Sequence, residues 1–321
     1  MGKSPLALVL ACLGLLVIGS LAWAESPPAY LAQWGTTGTG PAQFDHPYGI
    51  AVDGSGLVYV TDQHNFRVQI LHPDGGYVGE WSTGADSYPT GITVGPNGVV
   101  YVVMNRTHVV EMYSTSGAPL GTIGSPGNFP GQFFYPVAVA TDAAGNVYVT
   151  DSENHRVQKF TAGGAFLKTW GSGGMGPGQM IQPYGIVVGS DGIVYVAEYG
   201  GSRVQKFDTQ GNYLGQIGAP GDGDGQFSSC EGLVTDAGDA LYACDTGHDR
   251  IMKFSTLGSF LTKWGTEGTG VGQFRTPSDV VIDSYGDILV VEWDGDRVQV
   301  FGSGVTPAHQ QSWGQLKNRY R

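Results

Sequence analysis

Short runs of alternating Val, Tyr, Ile and Thr are separated by clusters of Gly, Pro, Asp and Asn from about residue 30 to residue 303. Alternation of this kind suits strands with buried faces, and no segment there sustains a helical period. The runs form a repeating unit. Tyr59, Tyr101, Tyr148, Tyr195, Tyr242 and Leu289 hold the same place in successive units, spaced 42 residues once and 47 residues thereafter. Each unit runs Pro-x-Gly-Ile, a glycine-bearing turn, Val-Tyr-Val, an acid, Arg-Val-Gln and an aromatic residue. The third unit shows the order most fully, with Pro136, Asn146 to Asp151 and His155 to Phe160, followed by Phe166 to Gly171 ending in Trp-Gly.

Turn residues cut each unit into four strands, here a to d. Asp53-Gly54-Ser55-Gly56, Pro96-Asn97-Gly98 and Ser190-Asp191-Gly192 separate a from b, while Pro73-Asp74-Gly75-Gly76 and Gly163-Gly164 separate c from d. Six such units predict an all-β fold, a six-bladed β-propeller with four antiparallel strands per blade. The last unit lacks its fourth strand after Phe301. The missing aromatic-Leu-x-x-Trp-Gly run stands at Tyr30 to Gly35 instead. The N-terminal strand is therefore expected to close the last blade and leave no edge open, giving a propeller over residues 25–304.

The unit resembles the NHL repeat, most closely at Asp151-Ser152-Glu153-Asn154-His155-Arg156-Val157-Gln158-Lys159-Phe160, with an echo at Arg203-Val204-Gln205-Lys206-Phe207. The resemblance covers nearly all of residues 30–303 and implies an NHL-type propeller of the exported kind. It implies less about activity, because such propellers include lyases, RNA binders, interaction domains and exported proteins without a known role.

Composition narrows the partners. The chain has 28 Asp and Glu against 16 Lys and Arg, a formal net charge of −12, and no basic run. Phosphate contact dominates nucleic-acid affinity, so no nucleic-acid partner is expected, and anionic membrane is equally unsuited. Lys3, the apolar stretch from Leu6 to Ile18 and Ala22-Trp23-Ala24 read as a signal peptide over residues 1–24, cleaved near Ala24/Glu25. The expectation is a secreted or periplasmic chain without membrane insertion. Residues 305–321 form a basic, aromatic tail outside the ring. Export permits a disulfide between Cys230 and Cys244, which the strand a–b register of the fifth unit brings near each other; two free buried thiols are the alternative.

Residues present in every unit are best explained by the unit. The acid ending strand b lies five before an arginine in Asp62 and Arg67, Asp151 and Arg156, Glu198 and Arg203, Asp245 and Arg250, and Glu292 and Arg297. These pairs are expected to be structural and bidentate. The second unit loses both partners together, to Met104 and Val109, as expected when removing one alone is costly. Trp34, Trp81, Trp170 and Trp264 read as packing between blades. Asp222-Gly223-Asp224-Gly225 reads as a turn, since no helix or downstream glutamate completes a calcium loop.

Function should sit where the units differ. The residue after the Pro slot faces the central channel, giving Tyr48, Thr90, Val137, Tyr184, Glu231 and Ser278. The b–c loops on the same end add His64, Asn105, Arg106, His108, His155, Tyr199, His248, Trp293 and Asp294. Tyr48, Tyr184, Tyr199 and Trp293, with Glu231 and Asp294, suit a surface that binds a protein, peptide or glycan without catalysis. No cofactor is expected on this reading. The alternative is a metal-assisted hydrolase or lyase, lactonase-like or amidating-lyase-like, holding a divalent ion at Glu231 and Asp279. Zinc needs three or four converging ligands, and the channel positions carry no histidine.

Overall fold

The computed structural model describes residues 25–302, so the expected signal segment 1–24 and the tail 305–321 lie outside the described residues. Six four-stranded antiparallel sheets form the ring. In blade one, strands a to d are Pro47–Val52, Val58–Asp62, Arg67–Leu71 and Tyr77–Ser82. Strand a of the later blades begins at Pro89, Pro136, Pro183, Cys230 and Pro277. Blade six is completed by Ala29–Trp34, which pairs with Arg297–Gly302 from Ala29 opposite Gly302 to Trp34 opposite Val298. The last blade is thus closed by the N-terminal strand, as the displaced aromatic run requires.

The sequence of each strand follows its distance from the axis. Strand b, typified by Val58–Asp62, is buried along its whole length, since it faces neighbouring blades on both sides. Outer strands such as Phe166–Trp170 bury chiefly their final tryptophan. Between blades six and one, Trp34, Phe44, Ile50 and Val58 pack against Leu289, Val291, Val298 and Val300, and the other blade junctions hold clusters of the same kind. Near the axis the Pro-x-Gly glycine lets adjacent strands approach. A Cβ on Gly185 would lie 2.0 Å from the carbonyl oxygen of Glu231 in the next blade.

All five acid–arginine pairs form, at 2.6–2.7 Å from Nε to the carboxylate, and each acid is fully buried. They are not bidentate. Arg67 gives only Nε to Asp62; its two terminal nitrogens donate to the carbonyls of Thr39, Gly40 and Gln43. The guanidinium therefore staples the loop that enters the blade onto strand b, and the remaining carboxylate oxygen accepts the backbone N–H of Asp45. The residue three after the acid varies with it. Asn65 and Asn154 donate to Asp62 and Asp151, whereas the longer Glu198 and Glu292 are followed by Gly201 and Gly295. A Cβ on Gly201 would stand 2.3 Å from Oε2 of Glu198, so the extra methylene of glutamate takes the room the asparagine fills elsewhere. In blade two, Met104 lies opposite Val109 and both surroundings are apolar.

The expected disulfide is absent: Cys230 and Cys244 are free and buried. The pairing places Cys230 opposite Asp245. Successive side chains alternate between faces of a sheet. Cys230 accordingly packs with Ile217 and Phe227 toward blade four, and Cys244 with Val280 and Phe301 toward blade six. Burial raises both thiols well above their ordinary pKa.

Candidate functional site

One hydrogen-bonded frame recurs on the end of the ring where strand a begins. The residue before the Pro slot is left-handed in five blades: His46, Tyr88, Tyr135, Gln182 and Thr276 have φ between 48° and 55°. That twist aims its N–H at the preceding blade's b–c turn. The N–H of His46 donates to Asp296 at 2.8 Å, that of Tyr135 to His108 at 3.0 Å, that of Gln182 to His155 at 3.4 Å and that of Thr276 to Asp249 at 2.7 Å. Within a blade, the b–c turn closes back on the same segment, as in His64 N–H to Asp45 and Glu153 N–H to Phe134. His108 and His155 are thus stitches between blades. His248 is held by Asp245 and Asp222 at 2.9 and 3.0 Å.

At the channel mouth the Tyr48 hydroxyl donates to Oε2 of Glu231 at 2.9 Å, joining blades one and five across the ring. Glu231 is 7% exposed. Burial pushes its pKa up to about 8, against the pull of the Tyr48 hydrogen bond and with a further push from Asp279. Asp279 is pushed up to about 7, mainly by burial, although the N–H groups of Ile50 and Val280 both bond its carboxylate. Tyr184 stacks on Tyr199, with centroids 4.7 Å apart and planes 21° apart. Below this mouth runs a cavity of about 180 Å³ lined by the six a strands, Asp279 among them. Tyr48, Tyr184, Tyr199 and Glu231 therefore lie together, and Trp293 and Asp294 do not join them.

Trp293 and Asp294 sit at the junction of blades six and one, beside the b–c loop residue His64 and beside Asp45 and His46, which the repeat does not single out. His46 lies 4.4 Å from the Trp293 ring and 4.2 Å from that of His64. Nδ1 of His46 and Nδ1 of His64 are 2.6 and 3.4 Å from Oδ1 of Asp45. Among the described residues, Asp45, His46 and His64 are the group of three metal-ligating side chains close enough to share an ion. Glu231 and Asp279 gain no third partner of that kind among the described residues.

A separate hollow opens between blades two, three and four. It measures about 420 Å³ and is lined by Asn105, Phe134, Tyr135, Val137, Ser152, Glu153 and Tyr184. Phe134 and Tyr135 are 44% and 40% exposed, large rings in the solvent on an otherwise ordered frame. Ser152 is 1% exposed, and its Oγ has no hydrogen-bond partner among the described residues. The position before the Pro slot was the signal for Tyr135 as for His46, but only the left-handed backbone reveals that it faces outward.

Residues 44–71, 133–160 and 181–207, in blades one, three and four, match the NHL repeat family. The chain carries NHL repeats. Human and mouse NHL repeat-containing protein 3 are each 30% identical to it over 92 residues, 28% of this chain and 26% of theirs. The match thus spans about a quarter of those relatives. Among solved structures, a streptogramin B lyase superposes with a TM-score of 0.62 at 17% identity, over 86% of this chain and 88% of that one. A gluconolactonase from Xanthomonas campestris gives 0.64 at 14% identity, over 88% and 96%. A protein of unknown function from Bacteroides thetaiotaomicron gives 0.66 at 21%, over 84% and 76%. At these identities the NHL propeller shares their fold.

Proposed function

We propose that this NHL propeller is an exported binding module that holds a peptide or glycan on the end bearing the b–c loops. The hollow of Phe134, Tyr135 and Tyr184 carries the reading: its rings supply flat apolar area, and Ser152 and Glu153 supply polar groups that fix orientation. The unpaired, buried hydroxyl of Ser152 supports a bound polar group there, because buried polar atoms otherwise find partners. Glycan and peptide arrays probed with the purified chain are expected to return one ligand class. Phe134→Ala and Tyr135→Ala should then remove binding while leaving thermal stability unchanged, since both rings are exposed. Unaltered affinity in both variants rejects this hollow.

A second reading rests on Glu231 at the channel mouth and Asp279 in the cavity below it, two carboxyls that burial raises to about 8 and about 7, which suits acid–base work on an ester or lactone. It requires turnover that Glu231→Gln abolishes; a screen without turnover removes it.

A further inference from the structure

We propose that Asp45, His46 and His64 form a binding site for one divalent first-row transition-metal ion of the Zn²⁺ and Cu²⁺ class, at the junction of blades six and one. The blade does not need these residues. The same frame is built in blade two from Ser87, Tyr88 and Arg106, with both backbone bonds from the b–c turn, and in blade three from Phe134, Tyr135 and Glu153, with the bond from Glu153 N–H to Phe134. Three ligating side chains at these places are particular to blade one.

The frame holds them ready. His64 N–H donates to the carbonyl of Asp45, Gln63 N–H to that of His46, and the N–H groups of Asp45 and His46 are taken by Asp62 and Asp296. One ligand atom from each of the three residues lies within 4.8 Å of the others. Ligands about 2.1 Å from a tetrahedral ion stand about 3.4 Å apart. Oδ1 of Asp45 is already 3.4 Å from Nδ1 of His64. Its 2.6 Å contact with Nδ1 of His46 opens by less than an ångström when the ion replaces the shared proton.

A surrounding shell is present as well. Asp294 Oδ1 stands 3.7 Å from Nε2 of His46, on the side of the ring away from the Asp45 contact. Once Nδ1 gives up its proton to ligate, Asp294 is the carboxylate placed to accept from Nε2–H, and it is itself fixed by the Thr276 hydroxyl at 2.7 Å. Two imidazoles and one carboxylate select a borderline ion over Mg²⁺ or Ca²⁺, which prefer oxygen alone. All three side chains are only half-buried, so a coordination position stays open to water.

The test uses the untagged chain, stripped with chelator and dialysed, titrated with Zn²⁺ by calorimetry and with Mg²⁺ beside it. One Zn²⁺ per chain and no Mg²⁺ uptake are expected. Losing a ligand costs at least the roughly 10–100-fold in affinity that even outer-shell losses cost, so His46→Ala and His64→Ala should each weaken Zn²⁺ by that factor or more. Asp294→Asn should weaken it less, and Glu231→Gln should leave it unchanged. Cu²⁺ should quench the fluorescence of Trp293, whose ring touches His46, and the quench should vanish in Trp293→Phe. That readout needs no histidine variant to fold. No Zn²⁺ uptake, or one ion retained by the His46→Ala, His64→Ala double variant, overturns the site; an ion lost on Glu231→Gln places it in the channel instead.

Discussion

Replacing Glu231 by Gln probes what the ring does to a carboxyl brought to its axis. In the folded chain burial lifts Glu231 from 4.5 to about 8. Between those values the folded state keeps a proton that the unfolded chain has released. The stability from this group is therefore complete below about pH 4.5 and is lost as pH rises through about 8. Moving the group that far costs the ionised form roughly 5 kcal/mol, accumulating at about 1.4 kcal/mol per pH unit. Glutamine keeps an oxygen for the Tyr48 hydroxyl and removes the titration. In urea unfolding followed from pH 4.5 to 9, the variant should match the parent chain at the acid end. It should then gain on it steadily, by as much as about 5 kcal/mol at the alkaline end. Asp62, Asp151 and Glu292 are raised in the same direction and titrate in both chains, so they cancel in the difference, whereas Asp279 repels the Glu231 charge and the gain includes relief of that repulsion. Parallel curves, or a variant that weakens toward pH 9, would refute the argument and return Glu231 to the anions.

Three further outcomes follow from the scaffold. Asp151→Met and Arg156→Val should couple in a double-mutant cycle by at least about 1 kcal/mol, because each single change strands a buried partner; additivity within about 0.5 kcal/mol speaks against it. Gly201→Asn should destabilise by about 1–3 kcal/mol through overpacking against Glu198, and adding Glu198→Asp should recover part of the loss by rebuilding the pairing of Asp62 with Asn65. A swap that only deepens the loss breaks that account. Cys230 and Cys244 should resist alkylation in the native chain and both react after unfolding without reductant, as peptide mass spectrometry would show; a linked peptide pair contradicts their placement on opposite faces.

Much of the fold was legible because it repeats. The Val-Tyr-Val runs located strand b, the acid and arginine located the b–c turn, and the displaced Tyr30 to Gly35 run located the closure. The joint change to Met104 and Val109 marks the pairs as structural. What failed was geometry that repetition does not encode. Whether an arginine faces its acid with one nitrogen or two depends on the path of the entering loop, whose carbonyls take the other nitrogens of Arg67. The strand a–b register sets Cys230 opposite Asp245, and in a sheet the one residue from there to Cys244 exchanges faces, so nearness along the strands did not bring the thiols together. The contact of Tyr48 with Glu231 crosses the ring between residues 183 apart, where no local pattern points. His46 and Tyr135 lay hidden in the position before proline, whose left-handed turn is a property of the backbone.

The frame also explains why two candidate sites can lie near each other on one face. The loop into blade two, residues 83–88, is short beside the loop into blade one, residues 35–46. That shorter loop lies on blade two, between blades one and three. Across it the contacts are continuous: the Tyr88 ring lies 5.5 Å from His64 and carries the Arg106 guanidinium 4.8 Å above it, and the neighbouring Asn105 lines the aromatic hollow. An extended ligand seated on Phe134 and Tyr135 therefore has a path over Tyr88 and Arg106 toward His64. Arg106, the cation along that path, favours a ligand with an anionic group there. Arg106→Ala should then weaken an acidic ligand and leave a neutral one of the same length unaffected, as competition binding on the two would measure; equal loss for both would confine recognition to the rings of the hollow.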